Sequence, residues 1–134
     1  MVEEGVTINR TEEIPEISIQ DQLDAEYKNF LAALIEIRKN KDILGFILKN
    51  DAKATVDLDE PTKIIEYAML SSQAFESAET LSTTFSLGDI KSILIKGKNI
   101  KALCISQRNS QLSIFMEKNA NFTDIMEAFY SKPE

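Results

Sequence analysis

Histidine and tryptophan are absent from the 134 residues, cysteine occurs once, and there are only three prolines and four glycines. Without histidine there is no Ser-His or Cys-His nucleophile pair and no imidazole ligand for zinc, so most hydrolase and zinc chemistries are excluded. A lone cysteine, Cys104, forms no internal disulfide and no thiolate cluster, which leaves a reducing compartment permitted. It lies between Leu103 and Ile105, where a buried structural thiol is expected rather than a reactive one. No apolar run approaches membrane-spanning length, and the opening MVEEGVTINR lacks a signal peptide's basic-then-apolar layout. The expected location is the cytoplasm, with no membrane insertion. Basic residues are also in deficit: 15 Lys and Arg against 22 Asp and Glu give a net charge of -7, the wrong sign for a protein that binds a phosphate backbone. Nucleic acid is therefore not an expected partner.

What is present suits one domain with an aliphatic core, since 43% of residues are hydrophobic and the aromatics are seven Phe and three Tyr. The acidity is uneven. Residues 1–22 hold six acids (Glu3, Glu4, Glu12, Glu13, Glu16, Asp21) against Arg10, a net of 1 - 6 = -5. With sparse apolar residues interrupted by Pro15, this stretch reads as a flexible acidic arm preceding a single domain at 23–134. A sharper alternative makes Glu16-Ile17-Ser18-Ile19 a strand that adds to a sheet edge.

From about Asp21 the pattern becomes helical, with Leu23, Tyr27, Phe30, Leu34 and Ile37 at steps of four and three, Leu31 and Ile35 widening the stripe, and Arg38, Lys39 and Lys41 at its end. Ile43 to Lys49 is apolar at both parities and Ala54 to Asp59 alternates, so the two form a hairpin, the first strand inside the sheet and the second at an edge. Gly45 marks a close backbone approach or a small packing position. Asp59-Glu60-Pro61-Thr62 has the form of a helix start, and the helix runs to about Thr84. Strands follow at Ile90–Lys96, Ile100–Gln107 and Gln111–Lys118, with short turns for antiparallel pairing. Asn121 caps a last helix that turns Phe122, Ile125, Met126 and Phe129 inward. The fold class is α/β (α+β), a five-stranded antiparallel sheet sandwiched between helices in the order α-β-β-α-β-β-β-α.

The middle helix is the informative element. At 100° per residue, Ile64, Ala68, Phe75 and Ala78 form one apolar sector, and Tyr67, Leu70, Ala74, Leu81 and Phe85 an adjoining one. Together they cover about 160°, more than the ~100° that rests on a single sheet. The row Tyr67, Leu70, Ala74, Ala78, Leu81 and Phe85 has the three-four spacing of a helix-to-helix seam, and Glu66, Gln73, Ser77, Thr80 and Thr84 hold the polar side. Self-association through this row is expected, with Tyr67, Leu70, Ala74, Ala78, Leu81 and Phe85 in the dimer interface; should Ile90–Lys96 be a free sheet edge beside the helix, two copies also join edge to edge into a ten-stranded sheet, which adds Ile93 and Ile95. A helix sunk deeply in its own domain is the alternative.

Catalytic, cofactor and metal residues are not expected. Asp51, Asp57, Asp59 and Glu60 match no calcium loop and read as a solvated edge plus a helix cap. Gly97-Lys98-Asn99 lacks the glycine run and following helix of a phosphate loop and reads as a hairpin turn.

Residues 23 to 131 resemble a roadblock-type domain, of the superfamily of dynein light chains, Ragulator subunits and prokaryotic partners of small Ras-like GTPases. The resemblance lies in the amphipathic opening helix, Ile43-Leu44-Gly45-Phe46-Ile47, the long middle helix, and Leu87-Gly88-Asp89 leading into Ile93-Leu94-Ile95-Lys96-Gly97. The turn Asn50-Asp51-Ala52-Lys53 departs from the family, whose members often have glycine there. The resemblance implies a roadblock/profilin-like fold and an interaction module rather than an enzyme. It also implies a homodimer, or a heterodimer with a related roadblock-like subunit, that offers a composite surface to a small Ras-like GTPase or a scaffold. Such domains can speed GTP hydrolysis by ordering the GTPase's own residues; of the three arginines here, Arg10, Arg38 and Arg108, the last reads as a solvated turn residue. The rival readings are a GAF- or PAS-like small-molecule sensor, which needs a pocket with convergent polar groups, and a profilin- or longin-like interaction module.

Overall fold

The computed structural model describes residues 14–107 and 109–130, with backbone alone at 14–21, 23 and 128–130. Residues 1–13, which hold most of the acidic leader, and Arg108 lie outside the described residues. The elements are α1 (Ile14–Ile37), β1 (Ile43–Lys49), β2 (Ala54–Leu58), a single 3₁₀ turn (Pro61–Lys63), α2 (Ile64–Phe85), β3 (Ser92–Lys96), β4 (Ile100–Gln107), β5 (Ser110–Glu117) and α3 (Phe122–Tyr130). The chain divides within α1, after Ala32, into two compact units; the end of α1, the sheet, α2 and α3 belong to the second.

Helix α1 begins at Ile14, so residues 14–22 of the expected arm are helical, including the Glu16–Ile19 segment offered as a strand. Pro15 does not prevent this, because the first turn needs no amide donor from it. Tyr27, Leu34 and Ile37 of the expected stripe are buried, whereas Ile35 is exposed.

The strands form one antiparallel sheet in the order β2-β1-β5-β4-β3, with β2 and β3 at its edges. Three hairpins make most of it, and α2 is the crossover that carries the chain from one edge to the other. The central strand β5 explains why sequence alternation fails here. Leu112, Ile114 and Met116 are fully buried on one face and Ser113 and Phe115 on the other, so neither parity meets water. β3 starts two residues later than the sequence pattern suggests, although the Ser106 amide still donates to the Lys91 carbonyl oxygen.

Gly45 proves to be a close approach. It has φ +153° at a register shift in the β1–β5 pairing, and a Cβ there would lie 2.3 Å from the Asp57 carbonyl oxygen and 2.7 Å from Leu58 Cα. The glycine-free turn after β1 is closed by Asn50, whose side-chain oxygen accepts from the Ala52 and Lys53 amides at 2.8 Å each. Neither Asp59 nor Glu60 caps the helix start. Glu60 precedes the 3₁₀ turn without a side-chain cap bond, and Asp59 is held by Arg38. Arg38 donates to the Ile43 carbonyl oxygen at 3.1 Å, bonds Asp59, and its Nε stands 3.5 Å from Asp57. Asp57 of β2 and Asp59 just beyond it thus receive the arginine that follows α1. Among the described residues no cluster suited to a metal ion is found. Asn121 caps α3 as expected, its Oδ1 accepting from the Asp124 amide at 3.2 Å, and Ile125 is buried.

Candidate interaction surface

Helix α2 lies on the face of the sheet that carries Ile47, Ala102, Cys104, Ser113 and Phe115. The Tyr67 ring stacks on Phe115 with centroids 4.5 Å apart and planes 21° from parallel. One turn on, the Ser71 and Ser113 hydroxyls share a hydrogen bond, and the Ser113 hydroxyl donates to Cys104 Sγ at 3.5 Å. This buried chain of small polar groups keys the helix to one register, since either hydroxyl left alone would lose its partner out of reach of water. Burial pushes the Cys104 thiol up from its ordinary pKa, the hydrogen bond to Ser113 opposing that rise. Burial likewise raises the Tyr67 phenol, with Lys63 pulling the other way.

The row expected to face a second subunit is therefore divided. Tyr67, Ala74 and Ala78 are buried and Leu70 half-buried; Tyr67 and Leu70 join a cluster with Ile47, Ala102, Phe115 and Ile95. That part of the seam is used by the chain's own sheet, because Phe115 and Ala102 give the helix a flat apolar bed where the sequence shows only a run of apolar residues. Beyond Ala78 the row emerges: Leu81 is 46% exposed and Phe85 64%. Leu81 follows Leu70 by three turns and shares its flank, the side of α2 that overlooks β3. Ile93 and Ile95 of β3 are half-buried on the same face, opposite Cys104 and Ala102. Among the described residues β3 has a single strand neighbour, which leaves its outer side as a sheet edge.

Sequence reasoning missed a third group. Ile65 and Met69 stand 74% and 57% exposed on the solvent side of α2. The signal was present as two large apolar residues interrupting the polar side, and they were absent from both apolar sectors.

Where α2 ends, Ser86 takes the left-handed conformation (φ 54°), the Leu87 amide donates to the Ser82 carbonyl oxygen at 3.0 Å, and the Ser82 hydroxyl donates to the Gly88 carbonyl oxygen. Under this last part of the helix lies a cleft of about 890 Å³, with Ala78 and Ser82 above and Ser106 and Gln111 below. Its polar lining residues are half-exposed or exposed, so it does not enclose a small molecule as binding cavities do.

Comparison with known proteins gives the fold. The Roadblock/LC7 domain from Streptomyces avermitilis superposes with a TM-score of 0.62 at 12% identity, covering 74% of this chain and 87% of that one. The fold is that of a roadblock domain. The gliding protein MglB from Thermus thermophilus matches with a TM-score of 0.57 at 12% identity over 78% of this chain and 88% of its own. MglC from Myxococcus xanthus matches with a TM-score of 0.52 at 17% identity over 77% and 92%. No family model and no curated protein matches the sequence. The roadblock likeness is thus carried by element order and sheet topology, with little sequence in common. Among the described residues no helix is long and apolar enough to cross a membrane.

Proposed function

We propose that this roadblock-fold chain is a non-catalytic dimeric adaptor or regulator in the cytoplasm that presents a composite surface to a small Ras-like GTPase or a scaffold partner. One observation carries the reading: a sheet edge, β3, lies beside a helix flank on which Leu81 and Phe85 are exposed. An edge strand with apolar neighbours is a site that natural proteins cover. A second copy, or a related roadblock-like subunit, joining at β3 would extend the sheet to ten strands and bring two α2 helices side by side. Leu81, Phe85, Ile93 and Ile95 are then the contact residues, while Tyr67, Leu70, Ala74 and Ala78 hold the helix in position from below. MglB being a gliding protein, and the resemblance to partners of Ras-like GTPases, support a regulator of such a switch. The open, half-exposed cleft under α2 favours an interaction module over a sensor.

Light scattering on purified protein tests the assembly: a mass near twice 15.1 kDa is expected, with Leu81→Glu shifting it to the monomer. Dimers that persist in Leu81→Glu move the contact elsewhere. A pulldown from the native host followed by a GTP hydrolysis assay tests the partner, and the absence of any Ras-like protein among the binders rejects that half of the reading.

A further inference from the structure

The solvent side of α2 carries a row that the proposed dimer does not use. Ile65, Met69, Ser72, Glu76, Glu79 and Thr83 follow one another at steps of four, three, four, three and four, and all six are exposed. This is the spacing with which one helix receives another. Its chemistry is split along its length: the first half is apolar, flanked by exposed Ile64 and small Ala68, and the second half is acidic. The charge is one-sided. From Ile64 through Ile90 there are four acids, Glu66, Glu76, Glu79 and Asp89, and no lysine or arginine. Glu66 is met by Lys63 at 3.5 Å, whereas among the described residues Glu76 and Glu79 form no ion pair.

We propose that this stripe is a docking face for an amphipathic helix of a partner protein that sets apolar residues over Ile65 and Met69 and lysine or arginine over Glu76 and Glu79. The stripe spans ~27 Å at 1.5 Å per residue, room for a partner helix of about five turns. Charge decides against a second copy of α2 as the occupant. Laid parallel, two such helices oppose Glu76 and Glu79 to themselves; laid antiparallel along the whole row, they set Glu79 over Met69 and Glu76 over Ser72. Neither arrangement supplies a cation. Ile65, Met69, Ser72 and Glu76 lie opposite the buried Tyr67, Ser71, Ala74 and Ala78, Glu79 and Thr83 border the cleft under the helix end, and Leu81 lies on the flank toward β3, so both surfaces can be occupied together.

Two labelled synthetic helical peptides test this by fluorescence anisotropy. Both carry leucines at alternating four- and three-residue spacing; one has lysines, its twin glutamates, at the positions that meet the acidic half. The lysine peptide is expected to bind at least ~10-fold tighter than its twin, a factor equivalent to about 1.4 kcal/mol. Glu76→Lys with Glu79→Lys should reverse that preference. Ile65→Glu with Met69→Glu should abolish binding while leaving the circular-dichroism melt in place, since both side chains are exposed. Equal binding of the twins, or binding that survives Ile65→Glu with Met69→Glu, overturns the proposal. So does a fall from dimer to monomer in that variant, which would make the occupant a second copy. Leu81→Glu separates the two readings, because it removes the dimer and leaves peptide binding unchanged.

Discussion

Replacing Gly45 by alanine adds one methyl group where β1 lies against the backbone of β2. The new Cβ would stand 2.3 Å from the Asp57 carbonyl oxygen, 2.5 Å from Leu58 Cδ2 and 2.7 Å from Leu58 Cα. Two of these atoms are backbone, so side-chain rotation gives no relief and β2 itself must retreat. A backbone angle that L-residues rarely adopt costs ~1–3 kcal/mol, and overpacking in a close-packed interior a further ~1–3 kcal/mol. The total of about 2–6 kcal/mol corresponds to ~8–24 °C in Tm for a domain of this size, at roughly 4 °C per kcal/mol. Thermal unfolding followed by circular dichroism, at one fixed protein concentration because association shifts Tm, reads the effect. Gly88→Ala is the control. Its φ is +75° but nothing lies within 4 Å of the added Cβ, so only the backbone part of the penalty applies. A Gly45→Ala protein that melts within ~3 °C of the parent, or a Gly88→Ala loss as large, refutes the steric reasoning.

Arg38→Ala should destabilise the protein by ~1–2 kcal/mol in urea titration, since it removes a charged donor from the Ile43 carbonyl oxygen and from two half-exposed carboxylates; Arg38→Lys should restore only part, lacking the fork. Ser113→Val leaves the Ser71 hydroxyl without its partner and should cost ~1–3 kcal/mol, and adding Ser71→Ala should recover some of that loss, a non-additivity measured by a double-mutant cycle. Because its folded pKa is raised, Tyr67 binds its proton more tightly in the folded than in the unfolded chain, so its contribution is complete below pH 10 and lost as pH rises through the folded value. Stability should therefore fall with alkalinity above about pH 10, and Tyr67→Phe should flatten that slope in melts taken across the range. Cys104, buried with a raised pKa, should react with a thiol reagent at neutral pH at the rate of unfolding, and a fast burst of modification would contradict its placement.

Element order was legible in the sequence because each element has a local cause: the three-four spacing of α2, the turns at Asn50 and Gly97, the Asn121 cap. The face that α2 turns to the sheet was not. Tyr67, Ala74 and Leu81 share one apolar sector, and only the extent of the sheet beneath decides that the first two are covered while Leu81 overhangs its end. Asp57 and Asp59 read as solvated acids because their partner, Arg38, is a helix end brought beside them by the fold. The N-terminal boundary moved for another reason: Pro15 and the clustered acids mimic an arm, yet a first turn accepts both. Ile65 and Met69 fall outside both apolar sectors because they lie on the polar side of α2, where helical periodicity marks no buried face.

The two margins of the sheet are unlike each other, and that asymmetry bears on what a joined pair would present outside. Both edge strands are five residues long, but β3 offers the apolar run Ile93-Leu94-Ile95, while β2 carries Asp57 between Val56 and Leu58 and is anchored at its end by Arg38. If two subunits join at β3, the outermost strands of the joined pair are both β2, and each presents charge to any newcomer. Such an assembly would keep β2 as its margin on both sides, where charge rather than an apolar run meets a further copy.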